Sequence, residues 1–213
     1  MSQTVVVDYG MGNLRSVAKA IEHVASQQSV IISSKAEDIE NADRVVFPGQ
    51  GAARDCMREL SDRRLNQVVL TAAKEKPFLG ICMGMQVLLD HSEENNGVDC
   101  LGLYKGNVRY FGEGLKGEQG EKLKIPHMGW NTLGQALDHP LWQGIKNNSR
   151  FYFVHSYYIE PADKALQVAT TQYGVEFVSA IAADKVFAVQ CHPEKSAQDG
   201  LQLLKNFTQW NGE

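Results

Sequence analysis

Phe78-Leu79-Gly80-Ile81-Cys82-Met83-Gly84-Met85-Gln86-Val87-Leu88-Leu89-Asp90 is the stretch on which the fold turns. Its first four residues form a short apolar run, the mark of a buried strand, and the residues from Met83 to Asp90 continue as a helix. The cysteine therefore stands at a strand-to-helix turn. Gly80 and Gly84 flank it at the spacing of the nucleophile elbow G-x-S-x-G, with sulfur in place of oxygen. Small residues are needed there because side chains would collide with the neighbouring strand and helix. The start of a helix offers unpaired N–H groups and the positive end of its dipole, which favour a thiolate and stabilise an oxyanion. The same window also fits a buried structural cysteine, since free cysteine is among the most buried residue types. The rest of the chain has to separate the two.

Towards the N-terminus, Thr4-Val5-Val6-Val7-Asp8 is a strand and Tyr9-Gly10-Met11-Gly12-Asn13 a turn. Leu14 to Ala25 then places Leu14, Val17, Ala18, Ile21 and Val24 on one helical face. Strand, glycine turn and amphipathic helix are the opening of a parallel α/β sheet. Gly10-x-Gly12 lacks the third glycine of a dinucleotide fingerprint, its place being taken by Arg15. Val30-Ile31-Ile32 and Arg44-Val45-Val46-Phe47 are further strands. Pro48-Gly49-Gln50-Gly51 follows the second of these, and its glycines leave the backbone free to present N–H groups inward. It is either a plain connector or, if Cys82 is a nucleophile, the second half of an oxyanion hole. Ala52 to Ala73 is helical with a break near Ser61-Asp62, and Pro77 begins the strand that carries the elbow.

Beyond Asp90 the pattern changes. Ser92 to Gly97 is a polar loop, and Leu101-Gly102-Leu103-Tyr104 and Val108-Arg109-Tyr110-Phe111 are short strands outside any βαβ unit. Gly112 to Glu121 holds four glycines among charged residues and forms a surface loop. In Lys124 to Asn131, Met128 and Trp130 either sit in the core on a strand bulged at Gly129 or form an exposed apolar patch for a partner. Phe151 to Tyr158, Leu166 to Thr171, Phe177 to Ile181 and Val186 to Gln190 carry strand signal, and Leu201, Leu203, Leu204, Phe207 and Trp210 mark a closing helix. His155 taken alone is a hydrogen-bonded structural histidine.

The 213 residues, 43% hydrophobic and 22% charged, suit an ordinary globular protein with one substantial core. A net charge of -4 gives no reason to expect nucleic acid or an anionic membrane as partner. No basic segment followed by a long apolar stretch marks a signal peptide, and no apolar run approaches a membrane span. Cys56, Cys82, Cys100 and Cys191 show no CxxC pair, so reduced thiols in the cytoplasm are the simplest account.

The last strand runs into Cys191-His192-Pro193-Glu194. A histidine at a strand end can act as base for a cysteine brought close in space, with a carboxylate orienting the imidazole, and Pro193 fixes the turn between the two. Elbow, glycine loop and His-Pro-Glu segment fit one thiol acyl-transfer mechanism. Together, Gly80 to Gln86, His192-Pro193-Glu194 and Pro48 to Gly51 resemble the class I (triad) glutamine amidotransferases. Asp8 to Asn13, Pro126-His127-Met128-Gly129-Trp130-Asn131 and Phe151 to Tyr157 are similar to one branch of that family, which supplies ammonia in histidine biosynthesis. The resemblance runs from Asp8 to about Ser196.

It implies one amidotransferase domain over residues 1–213, with a three-layer α/β fold. A mostly parallel, flavodoxin-like central sheet would be flanked by helices and carry a smaller antiparallel β portion. It implies Cys82 as nucleophile, His192 as base and Glu194 as its orienting carboxylate. Met83 and the Gly49-Gln50 region would supply oxyanion donors, and Gly51, Gln86, Ser156 and Tyr157 would hold glutamine. A separate (βα)8-barrel cyclase would receive the ammonia, meeting Asn13, Met128, Trp130, Tyr152 and Lys195; no cofactor or metal is implied. The rival readings are an amidotransferase subunit of another pathway, a catalytically silent interaction protein and a redox-sensing cysteine protein.

Overall fold

Alternation along the first strands builds two cores on opposite faces of one sheet. Val5, Val7, Val45 and Phe47 pack with Ile39, Leu60 and Val69, whereas Val6, Val46, Leu79 and Ile81 pack with Val17, Ile21, Leu203 and Phe207. In the computed structural model, which describes residues 2–117 and 119–213, these side chains belong to three layers. β1 (Gln3–Val7) leads into α1 (Leu14–Val24), followed by β2 (Ser29–Ser33), α2 (Ala36–Asn41), β3 (Arg44–Gly49), α3 (Ala53–Asp62) and α4 (Asn66–Glu75). β4 (Phe78–Cys82) then runs straight into the single turn of α5 (Met83–Gln86). The short strands β5 (His91–Ser92) and β6 (Val98–Asp99) precede β7 (Gly106–Tyr110), β8 (His127–Gln135), β9 (Ser149–His155) and β10 (Tyr157–Pro161). β11 (Gln167–Tyr173), β12 (Val175–Ala183), β13 (Val186–Val189) and α6 (Ala197–Gln209) complete the chain.

Strands β2-β1-β3-β4-β13 are parallel, in the order of a flavodoxin-like doubly wound sheet. Helices α2, α3 and α4 supply the core of one face, and α1 and α6 that of the other. Coverage on both sides explains why β3, β4 and β13 are almost unbroken apolar runs. Antiparallel strands extend the sheet through β12, β10 and β7, and the β8–β9 pair is attached through β11. This is the expected fold class. Among the described residues, no helix is long and apolar enough to cross a membrane.

Several elements differ from the sequence expectation. The helix after Cys82 stops at Gln86, because the carbonyls of Val87 and Leu88 accept from Leu101 and Tyr104 at 2.9 and 3.0 Å. Buried backbone groups need partners, and the Leu101–Tyr104 segment is consumed in supplying them, so it forms no strand. α2 lies outside the sequence expectation: six residues with only Ile39 buried leave little periodic signal. The break between α3 and α4 falls at Arg63–Leu65, where Arg64 takes φ 58°. In the Gly112–Glu121 loop a bridge joins Lys116 to Lys122, and Glu118 lies outside the described residues. The Phe151–Tyr158 run divides at Ser156, β9 pairing with β8 and β10 with β7 and β12. Gly129 carries no bulge: β8 and β9 keep an unbroken register from His127↔His155 to Leu133↔Ser149. Met128 and Trp130 are 61% and 44% exposed, so the patch and not the core is their place.

Candidate active site

Backbone proximity makes the elbow. Cys82 ends β4 with φ 56° and ψ -112°, a strained geometry for a non-glycine residue that the surrounding packing has to enforce. A Cβ on Gly84 would overlap the Phe47 carbonyl oxygen of β3, and one on Gly80 would lie 2.9 Å from Ala188 Cβ of β13. Both elbow glycines are therefore set by the neighbouring strands. The registers Gly49↔Cys82 and Val189↔Ile81 place the ends of β3 and β13 on either side of the sulfur.

His192 follows β13, its N–H donating to the Tyr152 carbonyl at 2.8 Å. Its Nδ1 lies 3.0 Å from Glu194 Oε1, with both side chains almost wholly buried. That leaves Nε2 without a hydrogen-bond partner of ordinary geometry in the protein. Burial alone would pull the imidazole pKa down, but the neighbouring Cys82 sulfur and the Glu194 carboxylate outweigh it and raise the value to about 10. At neutral pH the ring holds its proton, so an imidazolium stands beside the Cys82 sulfur. The ring is thus an acid ready to protonate a leaving group, next to a sulfur placed to act as nucleophile.

A cavity of about 400 Å³ opens over the sulfur. Gln50, Gly51, Cys82, Met83, Gln86, Ser156, Tyr157, His192 and Lys195 line it, which brings most of the residues singled out from the sequence into one place. Gly49 is buried behind the wall, its Cβ position filled by the Tyr9 hydroxyl and by Met83 Cβ at 2.8 Å. Tyr9 Oη donates to the Pro48 carbonyl at 2.9 Å and so fixes the peptide that leads into Gly49. Asn13 opens α1, which packs on the Pro193–Lys195 turn. Trp130 and Tyr152 face each other across β8 and β9 with ring centroids 6.3 Å apart, and Lys195 Nζ sits 5.9 Å from the Tyr152 ring. Lys195 thus belongs to the cavity wall as well as to the Trp130–Tyr152 surface.

Three residues escaped sequence reasoning. Gln190, wholly buried, points an amide at the Cys82 sulfur, Nε2 to Sγ 3.5 Å. Its signal was the two-residue spacing to His192 at the end of one strand. Glu94 stands in the cavity wall, its Oε2 accepting from the Ala53 N–H at 2.7 Å, and gives the wall a carboxylate able to pair with a cation. It comes from a polar loop without a periodic signal. Tyr9 carries no sequence signal beyond its place in a glycine turn. His155 meets expectation: its Nδ1 donates to the Tyr157 carbonyl at 2.8 Å. Among the described residues, no group of three or more His, Cys, Asp or Glu side chains could hold a metal ion.

Residues 5–210 match the model of the family "Glutamine amidotransferase class-I". The chain is 58% identical over 209 residues to the imidazole glycerol phosphate synthase subunit HisH of Hydrogenovibrio crunogenus, covering 98% of this chain and 96% of that protein. It is 59% identical to the HisH subunit of Dechloromonas aromatica, covering 98% and 97%. Among solved structures it is similar to PurLQS from Thermotoga maritima, with a TM-score of 0.70 at 18% identity and 98% of both chains covered. A crystal structure described as a glutamine amidotransferase gives a TM-score of 0.70 at 17% identity, covering 96% of this chain and 97% of that one. At such low identity these two likenesses bear on the fold alone.

Proposed function

The chain belongs to the class-I glutamine amidotransferase family, and from that premise we propose that it is the glutaminase subunit of an imidazole glycerol phosphate synthase. It hydrolyses glutamine to glutamate and ammonia. The observation that carries the chemistry is the buried Cys82–His192–Glu194 array at the floor of a cavity sized for an amino acid. Identity of 55–59% along nearly the whole chain to proteins named HisH supports the choice of synthase.

The Cys82 thiolate attacks the side-chain amide carbon of glutamine, and the carbonyl electron pair moves onto oxygen. The N–H of Met83 at the start of α5 and one from the Gly49-Gln50 segment receive that oxyanion. As the C–N bond breaks, the His192 imidazolium gives its proton to nitrogen and ammonia leaves a thioester on Cys82. His192, now neutral, takes a proton from water as the water attacks the thioester, and glutamate departs with the thiolate restored. Glu194 holds the ring in one orientation throughout. At the other end of the substrate, Glu94 meets the α-ammonium group. Gly51, the Gln86 side-chain oxygen and the Ser156–Tyr157 backbone complete the hold.

Ammonia is small and takes up a proton in water, so its useful release is directly into a second active site. The relatives are named as synthase subunits, and the reading includes a (βα)8-barrel cyclase chain seated on Met128, Trp130, Tyr152, Lys195 and Asn13. That partner combines ammonia with a phosphoribulosyl formimino aminoimidazole carboxamide nucleotide, giving imidazole glycerol phosphate and an aminoimidazole carboxamide ribonucleotide. Four free cysteines suit a reducing cytoplasm, where we place the enzyme. The test is treatment with the glutamine-mimicking electrophile 6-diazo-5-oxonorleucine followed by peptide mass mapping. The label is expected on Cys82, with glutaminase activity lost in proportion. Cys82→Ala is expected to melt like the unmodified protein without hydrolysing glutamine; wild-type turnover in that variant would sink the assignment.

A further inference from the structure

One buried chain of hydrogen bonds ends on the reactive sulfur, and its direction is fixed by chemistry. The Tyr157 carbonyl can only accept. It takes His155 Nδ1–H at 2.8 Å and Gln86 Nε2–H at 3.0 Å, so the nitrogen end of the Gln86 amide is the one turned inward. The second hydrogen on Gln86 Nε2 goes to Gln190 Oε1 at 2.9 Å. Gln190 consequently presents its own NH2 group to Cys82, Nε2 to Sγ 3.5 Å. Gln190 is wholly buried, and its backbone N–H is tied to the Ser179 carbonyl of β12 at 2.9 Å. Neither its backbone nor its amide can turn without breaking a buried bond.

Besides the His192 ring, the sulfur thus has two alternative partners. As a thiol, its own hydrogen meets the distant Val154 carbonyl, at 4.0 Å, while the His192 ring beside it already holds a proton. As a thiolate, it accepts from Gln190. We propose that Gln190 is a further catalytic residue, its fixed side-chain amide donating to the Cys82 sulfur so as to hold it as a thiolate. The same donor faces the sulfur again when it leaves the thioester in the second half of the reaction. The inference rests on Cys82 being the nucleophile of the proposed reaction. It adds a contact made with the reacting atom itself, outside the Cys-His-Glu array.

The experiment reads the thiol and not turnover: the rate of iodoacetamide alkylation of Cys82 as a function of pH, followed on the Cys82 peptide by mass spectrometry. The other thiols interfere little, since burial pushes Cys56 and Cys100 up to about 12 and Cys191 up as well. In Gln190→Leu the midpoint of the alkylation profile is expected to rise by roughly one pH unit, the usual size of losing one charge-assisted hydrogen bond. In Gln190→Glu, which keeps the acceptor for Gln86 but turns a carboxylate towards sulfur, it is expected to rise further. Unmoved midpoints in variants that keep the wild-type melting temperature would overturn the proposal. In the unmutated chain, the assigned Gln190 side-chain amide resonance is expected to titrate with the alkylation midpoint and to shift on alkylation. A resonance indifferent to both would overturn the proposal even if both variants fail to fold. Glutaminase activity surviving in Cys82→Ala would count against the proposed reaction, whereas the alkylation profile judges Gln190 separately.

Discussion

The carboxyl ends of β3, β4 and β13 and the β8–β9 hairpin belong to one continuous sheet, yet they treat their side chains in opposite ways. At the parallel ends Ile81, Met83, Gln190 and His192 around Cys82 are buried, and contact with adjacent backbones dictates which residues fit. On the hairpin, His127 and Leu133 face inward while Met128 and Trp130, large and apolar, are left in solvent. A parallel sheet covered on both faces can open only at its strand ends, so chemistry collects there. An antiparallel pair has a face to spare, and a contiguous apolar face on it marks a surface meant to be covered. The site and the surface meet at Lys195, which lines the cavity and lies over Tyr152.

The strongest way to break this contrast is Gly84→Ala. Its methyl group would overlap the Phe47 carbonyl of β3, so we expect a loss of roughly 3 kcal/mol in denaturant unfolding and at least about a hundredfold loss of glutaminase activity. Next comes Glu194→Gln, which keeps the shape but removes the charge that holds the His192 proton. A fall in kcat of roughly a hundredfold or more, with an unchanged melt, is the expected result. Trp130→Ala tests the other side of the comparison. It should leave the melting temperature and basal hydrolysis of the isolated chain alone and weaken binding of the cyclase by about tenfold, read by titration calorimetry.

The smallest effect concerns the histidines beneath the hairpin. His127 Nδ1 and His155 Nε2 lie 2.9 Å apart, and burial lowers their pKa values to about 4 and about 3. Folded, both rings stay neutral well into acid; unfolded, they take up protons near pH 6.5. Their contribution to stability is therefore complete above about pH 6.5 and drains away as pH falls towards 4 and 3. Melting curves from pH 7 to 4.5 should show a drop that His127→Gln makes shallower by roughly 2–3 °C.

The sequence made the parallel half legible because its determinants are local. A short apolar run, two glycines around Cys82 and a His-Pro-Glu segment each announce themselves within a few residues. Even there, the eventual length of α5 was hidden, since the carbonyls that would have extended it are claimed by Leu101 and Tyr104. The hairpin was less legible. Alternation could place Met128 and Trp130 on one side of a strand but not say whether that side faced core or solvent, which depends on where β11 and β9 attach. Gln190 and Glu94 stayed hidden for the same reason. Each acquires its role only when a distant segment folds against it, Gln86 for the first and the cavity wall for the second.

In the proposed function, Cys82 and the exposed hairpin are two halves of one ammonia-delivering system. The most direct measurement is glutamine hydrolysis by the purified chain, alone and mixed with the (βα)8-barrel cyclase and its nucleotide ligand. Acceleration of roughly tenfold or more in the complex, abolished by Cys82→Ala and blunted by Trp130→Ala, is the predicted result. The same turnover with and without the partner and its ligand would contradict it.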